Sequence, residues 1–303
     1  KKKLENRKNN KSIIVSTLIF VITFIAMAGY LIYFNLTQAE SIINNSYNKR
    51  QGVLSRRTIR GSILSDDKTK LAVTNVDDDG NETRYYPYSG LFSHTIGYLN
   101  NGGYGLESLY GYYMLHSNQN FFEQIGNDLS GNRNTGDNVV TTLNVGLQKA
   151  CYDALGSNRG AVIVMEPSTG KILAMVSKPD FDPNTLAANW SQITGEGSDS
   201  VLVNRATQGL YPPGSTFKLI TMLEYLREHK NDYGQYHYIC DGTYELGNNT
   251  INCVRTTAHG DVDLFSSLAV SCNCSFINIG LSLDLDRYKK TAEKMLFNKE
   301  LPT

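Results

Sequence analysis

The sequence lacks an excess of charge of either sign, and it lacks internal repeats. Lys and Arg number 29 and Asp and Glu number 29, so the formal net charge is zero. A chain without a basic surplus has no broad electrostatic attraction for nucleic acid, and we expect no nucleic-acid partner. Disorder is not expected either, because 41% hydrophobic and 19% charged residues are ordinary globular composition. The 303 residues suffice for one large or two medium domains.

One segment lacks charged residues altogether. Residues 12–36 form an apolar run without Asp, Glu, Lys or Arg, long enough to span a bilayer. Residues 1–11 carry six Lys and Arg residues, and Tyr30, Tyr33 and Phe34 close the run like an interfacial belt. The apolar core of a cleaved signal peptide is shorter. The sequence therefore predicts a single-pass cell-membrane protein, with a basic cytoplasmic tail at 1–11, a transmembrane anchor at 12–36 and an extracytoplasmic remainder.

In the remainder, the sequence pattern changes near residue 140, and we place a domain boundary there. A polar helical stalk is predicted from Ala39 to Leu54, followed by short strands and turns that are typical of a β-rich module. Beyond the change we predict a helix at 145–155 and two apolar strands at 161–165 and 172–176. The fold class is therefore α+β, with extracytoplasmic regions at 37–140 and 141–303.

The pattern Ser-x-x-Lys places a hydroxyl and an amine one helical turn apart, where the amine can take the proton as the oxygen attacks a carbonyl. The pattern begins at four serines: Ser46, Ser65, Ser168 and Ser215. Only Ser215, with Lys218, follows a helix-opening Tyr-Pro-Pro-Gly and precedes an apolar run. From the residues alone, Ser215 is either a nucleophile near the positive end of a helix or merely an N-cap beside a solvated lysine.

The stretch Leu210-Tyr-Pro-Pro-Gly-Ser-Thr-Phe-Lys resembles the nucleophile motif of penicillin-binding proteins. The second element of that family, Ser-x-Asn, lies downstream of the nucleophile, and Ser271-Cys-Asn273 is the occurrence that does so here. The resemblance implies that Ser215 is the acyl-accepting nucleophile and Lys218 its base. It also implies that Ser271 relays protons and that Asn273 holds the substrate amide and the lysine.

Further segments resemble the class B, penicillin-binding protein A-like members of this family. They are Arg60-Gly61-Ser-Ile, Gly105-Leu-Glu107, Val164 to Met175, Asn204-Arg205-Ala-Thr and His259-Gly260. The first two belong to the non-catalytic pedestal, a dimerisation-type module, and no glycosyltransferase domain is visible. The resemblance implies a membrane anchor, a pedestal at 37–140 and part of a serine β-lactamase-like transpeptidase domain at 141–303.

The activity implied by the resemblance is that of a serine-type peptidoglycan D,D-transpeptidase. Such an enzyme cross-links stem peptides through an acyl-enzyme, is acylated by β-lactams and serves cell division or cell shape. It works beside a polytopic glycosyltransferase, bears on antibiotic resistance and needs no cofactor. Two rival functions are a β-lactam sensor or hydrolase with the same nucleophile, and a non-catalytic scaffold of the cell-wall machinery.

One element of the family is absent from residues 1–303. The third motif, Lys-Thr-Gly or Lys-Ser-Gly, binds the substrate carboxylate in the family, and its strand supplies one of the two oxyanion-hole N–H groups. The chain stops about thirty residues after Asn273. We therefore expect a C-terminally truncated chain without full catalytic competence.

Four of the five cysteines lie between residues 240 and 274, and they include no Cys-x-x-Cys pair. Three interpretations stay open. Cys240 and Cys253 can form a disulfide in an extracytoplasmic domain. Alternatively, Cys240, Cys253 and His259 can bind zinc together with Cys272 or Cys274. The third interpretation is that all four are buried free thiols, which is the usual state of such residues.

Overall fold

A computed structural model describes residues 2–38, 49–118 and 120–299 of the chain. Its helices are α1 Lys2–Thr37, α2 Lys49–Arg57, α3 Ser93–Ile96, α4 Gly105–Leu109, α5 Gly111–Leu115, α6 Phe121–Ser130, α7 Val145–Leu155, α8 Trp190–Thr194, α9 Lys218–Glu228, α10 Leu264–Ala269, α11 Asn273–Ser282 and α12 Leu285–Lys294. Its strands are β1 Thr58–Ile59, β2 Ile63–Leu64, β3 Lys70–Val76, β4 Glu82–Tyr85, β5 Asn134–Thr135, β6 Val139–Val140, β7 Gly160–Met165, β8 Ile172–Lys178, β9 His237–Cys240, β10 Thr243–Leu246, β11 Asn249–Asn252 and β12 Gly260–Asp263. The fold class is α+β, as the sequence predicts.

Helix α1 contains the apolar run. Ile13–Thr37 has a mean hydropathy of 2.3, is long and apolar enough to cross a membrane, and has none of its most apolar stretch buried in protein. This helix agrees with the predicted anchor at 12–36. Of the predicted stalk, residues 39–48 lie outside the described residues, and the rest falls in α2.

The chain divides into two compact units, Lys1–Gly209 and Leu210–Thr303. The first unit contains a sheet of order β4-β3-β2-β6 and a separate parallel pair, β1 with β5. Its core includes the buried side chains Ile63, Leu71, Tyr86, Phe92, Ile96 and Met114. Burial changes along the length of β3: Leu71 and Ala72 near its start are buried, and Asn75 and Val76 at its end are exposed, so only the first half of the strand lies in the core.

Two pedestal motifs from the sequence meet inside this first unit. The fully buried carboxylate of Glu107 accepts hydrogen bonds from Arg60 Nε at 2.9 Å and from Arg84 Nε at 2.7 Å. A side chain at Gly61 would place its Cβ 1.9 Å from the carbonyl oxygen of Asp137, so only glycine fits there. These motif residues therefore have structural roles.

The predicted helix at 145–155 is confirmed as α7, and the two predicted apolar strands are confirmed as the antiparallel hairpin β7–β8. Helix α7 packs on this hairpin through Gln148, which is fully buried. Its side-chain amide donates to the carbonyl of Met175 at 2.8 Å and accepts from the Met175 N–H at 2.8 Å. A buried polar side chain is stable here because it satisfies the backbone of the strand it covers.

The second unit packs α9 and α11 around Met222, Phe276 and Ile279. Strands β9 and β12 pair antiparallel, and β10 and β11 form a hairpin. The apolar spacing from Val262 to Val270 predicts a helical run, and this prediction is partly wrong because Val262 lies in β12 opposite Tyr238. The helix begins only at Leu264, where the Asp263 side chain accepts a hydrogen bond from Ser266 N and caps the first turn.

Candidate active site

Ser215 lies in a 3₁₀ turn, Gly214–Phe217, that leads directly into α9. The turn starts at Gly214 with φ of +55°, a conformation that favours glycine. The N-cap position of α9 is Phe217, which makes no side-chain capping bond. The interpretation of Ser215 as an N-cap is therefore wrong, because its hydroxyl caps neither this turn nor α9.

The four residues singled out by the sequence come together in this unit. Lys218 Nζ donates to the Ser271 carbonyl at 2.7 Å, to Ser271 Oγ at 3.0 Å and to Asn273 Oδ1 at 2.6 Å. Ser271 Oγ in turn donates to Ser215 Oγ at 3.0 Å. The lysine thus reaches the serine through Ser271, whereas the sequence predicted direct contact across one helical turn. The three hydrogen bonds that the Lys218 ammonium donates all go to Ser271 and Asn273, so its link to Ser215 runs through Ser271 Oγ.

Ser271 has a left-handed backbone conformation, with φ of +54°. It follows α10 in a helix-ending motif in which Ser271 N bonds to Leu268 O and Cys272 N bonds to Ser267 O. Glycine usually occupies this position, because a Cβ is disfavoured there. A serine at a strained position beside a candidate nucleophile suggests that its hydroxyl is needed.

Asn273 is the first residue of α11, and its amide is oriented from two sides. Its Nδ2 donates to the carbonyl oxygen of Asn252 at 2.8 Å, so its Oδ1 must face Lys218. Asn252 ends the β10–β11 hairpin, and sequence reasoning missed it. A turn signal around Gly247, where φ is +61°, predicts a hairpin but not which residue its end will touch.

The electrostatic setting of Lys218 favours a base. Burial lowers the pKa of Lys218, and this effect exceeds the opposing effect that negative charge on Cys272, Cys253 and Cys274 would have. A larger fraction of the amine is therefore neutral at a given pH than for a solvated lysine. A neutral amine can accept the proton that an attacking serine must lose.

The four clustered cysteines form one buried group next to Asn273, which Cys272 and Cys274 flank in the chain. All are buried, and the Cys253 sulfur lies 3.5 Å from that of Cys274, 3.7 Å from that of Cys240 and 3.8 Å from that of Cys272. These distances exceed a disulfide bond of about 2.05 Å, and all five cysteines of the chain are free in this structure. The Cys240–Cys253 disulfide is therefore not formed.

The metal alternative is compatible with the geometry. Ligand atoms of Cys240, Cys253, His259 and Cys272 all lie within 4.8 Å of one another, and the three cysteines among them are buried. Three thiolates and one imidazole are a usual ligand set for structural zinc. Cys274, the other sulfur that the sequence analysis considered, is not part of this group.

Comparison with known families matches two parts of the chain. Residues 160–303 match the family described as penicillin binding protein transpeptidase domain. Residues 60–139 match the penicillin binding protein A dimerisation domain. The two matched stretches follow one another in the order that the resemblance implies, pedestal first.

Individual relatives agree with these families. The chain is 34% identical over 232 residues to the peptidoglycan D,D-transpeptidase PbpA of Mycolicibacterium smegmatis, covering 70% of this chain and 46% of that protein. Penicillin-binding protein A from M. tuberculosis, solved as an imipenem acyl-enzyme complex, superposes with a TM-score of 0.71 at 28% identity, covering 80% of this chain and 60% of that one.

A third comparison is with the D,D-transpeptidase domain of a peptidoglycan glycosyltransferase from Eggerthella lenta. Its TM-score is 0.68 at 34% identity, covering 81% of this chain and 55% of that one. The chain thus spans about half the length of the relatives it matches. With both modules matched in order, the chain belongs to the penicillin-binding proteins that join a dimerisation module to a transpeptidase domain.

Proposed function

We propose that this chain carries the nucleophile and the proton relay of a peptidoglycan D,D-transpeptidase, and that β-lactams acylate it at Ser215. The supporting observation is the hydrogen-bonded series Lys218 Nζ, Ser271 Oγ and Ser215 Oγ, with 3.0 Å at each step. The substrate class comes from the relatives, whose names include peptidoglycan D,D-transpeptidase. The acylation by β-lactams comes from the imipenem acyl-enzyme of a structural neighbour.

The reaction begins with Lys218 neutral. The Ser215 proton moves to Ser271 Oγ while the Ser271 proton moves to Lys218 Nζ, and Ser215 Oγ attacks the carbonyl carbon of the penultimate D-alanine. The peptide C–N bond breaks, the leaving amine takes a proton back from the relay, and D-alanine departs. An amine of a second stem peptide then attacks the ester, gives its proton to the relay and frees Ser215.

Asn273 positions the relay in this scheme. Its Oδ1 holds Lys218 Nζ at 2.6 Å, which keeps the amine against Ser271. Partial burial of Lys218 also lowers its pKa, which favours the neutral amine that the relay needs. The Lys-Thr/Ser-Gly element, which binds the substrate carboxylate in the family, is absent from residues 1–303.

The anchor sets the location of this chemistry. With residues 1–11 in the cytoplasm and Ile13–Thr37 in the bilayer, the residues that follow are extracytoplasmic, where stem peptides are cross-linked. A polytopic glycosyltransferase that makes the glycan strands is the membrane partner in this proposal. Both the orientation and the partner follow from the charge pattern and the family.

We also propose a structural zinc ion held by Cys240, Cys253, His259 and Cys272. The supporting observation is the convergence of three cysteine sulfurs and one histidine nitrogen from three separate chain segments. Zinc there would link three places in the fold: Cys240 at the end of β9, Cys253 directly after β11, and Cys272 at the N-cap of α11. Elemental analysis of the purified intact protein should give about one zinc per chain, and a Cys240→Ala variant should lose it.

The decisive experiment is mass spectrometry of the whole protein after incubation with a labelled penicillin, which detects the covalent adduct by its added mass. The expected adduct lies on Ser215 and is absent in Ser215→Ala. Ser168→Ala is the matched control, because Ser168 begins another Ser-x-x-Lys pattern and should leave the adduct unchanged. An adduct that persists in Ser215→Ala would refute the assignment.

The rate at which the adduct disappears separates the proposal from its rivals. A transpeptidase without an acceptor amine should keep the penicillin bound long after acylation is complete. Rapid release of the opened β-lactam would indicate a hydrolase. Normal wall cross-linking in cells that carry only Ser215→Ala would indicate a scaffold.

A further inference from the structure

We propose that Phe276 is a positioning residue for the relay, and that the face of its ring stabilises the positive charge that Lys218 gains when Ser215 attacks a carbonyl. This inference rests on the proposed function and extends it to a residue outside the hydrogen-bonded series. It concerns the electrostatic environment of one amine, which can be measured with and without acylation.

Phe276 and Asn273 approach the amine of Lys218 from one face of α11. The two residues are three positions apart in this helix, so their side chains share a face. Asn273 Oδ1 lies 2.6 Å from Lys218 Nζ, and Lys218 Nζ lies over the Phe276 ring, 5.6 Å from its centroid. A cation within about 6 Å of a ring centroid is attracted by the negative face of the ring. One helix thus supplies both a hydrogen bond and an aromatic ring to the amine.

The ring of Phe276 is held in place by a hydrophobic core. Phe276 is only 6% exposed, and it belongs to the buried cluster that contains Met222, Tyr225 and Ile279. Side chains in a close-packed core sit in defined rotamers, so the ring presents the same face to the amine throughout the reaction. The attraction between a cation and a ring is also stronger at a desolvated position than at the surface.

The hydrogen-bond partners of Lys218 are all uncharged. The three donors of its ammonium go to the Ser271 carbonyl, to Ser271 Oγ and to Asn273 Oδ1. Among the residues that the structure describes, no Asp or Glu forms an ion pair with Lys218. The ionisable groups whose charge would act on Lys218 are Cys272, Cys253 and Cys274. The ammonium therefore forms without a paired carboxylate, and the ring face offers part of the stabilisation that a carboxylate would give.

The ring accelerates the reaction only where the amine changes its charge. In the proposed scheme Lys218 starts neutral and becomes cationic as the Ser271 proton reaches Nζ, so stabilisation of the cation lowers the barrier. At pH below the pKa of Lys218, the amine is already charged before the reaction, and the ring stabilises the starting state as well. Weakening the ring should therefore lower the acylation rate on the high-pH plateau but not at lower pH. A packing defect would lower the rate at every pH.

The test replaces Phe276 by phenylalanines that carry one, two or three ring fluorines, in the intact protein in detergent. Fluorine withdraws electron density from the ring face and weakens its attraction for a cation, while it changes the size of the ring little. The logarithm of the plateau acylation rate, measured by stopped flow with a labelled penicillin, should fall in proportion to the number of fluorines. Phe276→Leu, which has no ring, should lower the plateau rate by about 2- to 30-fold.

The matched control places the same fluorinated residues at Phe265. That ring lies in the same unit, packs edge-on against Tyr233 and is 56% exposed, and no Lys or Arg lies over it within the described part of the chain. Its variants should be acylated at the rate of the unmodified protein. All proteins are prepared with the same measured zinc content, because charge on the neighbouring cysteines also acts on Lys218.

A direct measurement on the amine completes the test. In protein labelled with ¹³C at the lysine Cε carbons, NMR titration should show that each added fluorine at Phe276 lowers the pKa of Lys218, because the ammonium loses stabilisation. An unchanged plateau rate across the series would overturn the proposal, whether or not this pKa moves. A loss of rate that is equal at every pH would also overturn it.

Two further outcomes have a defined reading. If Phe276→Leu unfolds, the fluorinated series decides the proposal by itself, since it preserves the packing of the core. Absence of acylation in the unmodified protein would count against the proposed function. The NMR titration would then still show whether the ring stabilises the ammonium of Lys218, and an unchanged pKa would overturn this inference as well.

Discussion

Ser271 has an unfavourable backbone conformation, yet its hydroxyl lies where a proton relay would need one. Its φ of +54° is a position where glycine is usual, yet its hydroxyl contacts both Lys218 and Ser215. Stability alone would favour glycine there. The serine is explained if the relay needs an oxygen between the amine and the nucleophile.

Two substitutions at this residue separate the effects. Ser271→Ala and Ser271→Gly both remove the hydroxyl, so both should slow acylation by about 10²–10⁴-fold, as expected for a lost proton-transfer group. Ser271→Gly should nevertheless be the more stable of the two by about 0.5–1 kcal/mol, because it relieves the left-handed strain at some cost in chain entropy. Denaturant titration and acylation kinetics measure the two effects. Equal acylation rates in Ser271→Gly and the unmodified protein would exclude the relay.

The pH dependence of acylation should report on Lys218. The active form is the neutral amine, whose fraction increases as pH rises through the pKa of Lys218. Burial lowers that pKa below the ordinary value of 10.5, so the rate should rise with pH and level off at lower pH than a solvated lysine would give. Stopped-flow measurement of the acylation rate with a labelled penicillin tests this. Lys218→Arg should remove the rise, since arginine stays protonated.

At the scale of elements, the pedestal depends on one buried carboxylate between two arginines. Glu107 on α4 joins Arg60, which follows β1, to Arg84 on β4. Three elements far apart in sequence are thus fixed by a single fully buried group. Removing one partner of such a pair leaves uncompensated buried charge.

Glu107→Gln should therefore lower the free energy of unfolding by about 3–5 kcal/mol. The matched control is Glu82→Gln, because Glu82 pairs with Arg133 at 2.6 Å but both side chains are partly exposed, at 23% and 30%. That change should cost about 0–1 kcal/mol. Chemical denaturation monitored by circular dichroism gives both values, and similar losses in the two variants would argue against the role of Glu107.

At the scale of the whole molecule, the anchor determines the compartment in which the proposed chemistry occurs. The cationic residues at 1–11 and the apolar helix Ile13–Thr37 together predict outward-facing units. In the proposed orientation the four clustered cysteines lie outside the cytoplasm.

Orientation is measurable with single introduced cysteines in a Cys151→Ala background. In cells stripped of their wall, Asp79→Cys, in an exposed turn, should react with a membrane-impermeant maleimide. Asn10→Cys should react only after the membrane is permeabilised. The reverse pattern would contradict the proposed topology.

Local sequence pattern by itself determined the long apolar helix, helix α7 and the β7–β8 hairpin. Each depends on residues close together in the chain: an uncharged run, or a 3.6-residue or two-residue periodicity. For Ser215 the local pattern left two interpretations open, and the resemblance to a family favoured the nucleophile. Hydrophobic spacing alone failed at Val262, because pairing with Tyr238 on a distant strand outweighed local helix preference.

Only the tertiary structure decided which distant groups meet. It placed Ser271 between Lys218 and Ser215, oriented Asn273 through the carbonyl of Asn252, and brought Cys253 within 3.5 Å of Cys274. These contacts join segments whose separation in the chain carries no local signal, and they form because packing of α9 and α11 fixes where each segment ends. Sequence therefore indicated which groups have the right chemistry, while folding decided their distances and hydrogen-bond partners.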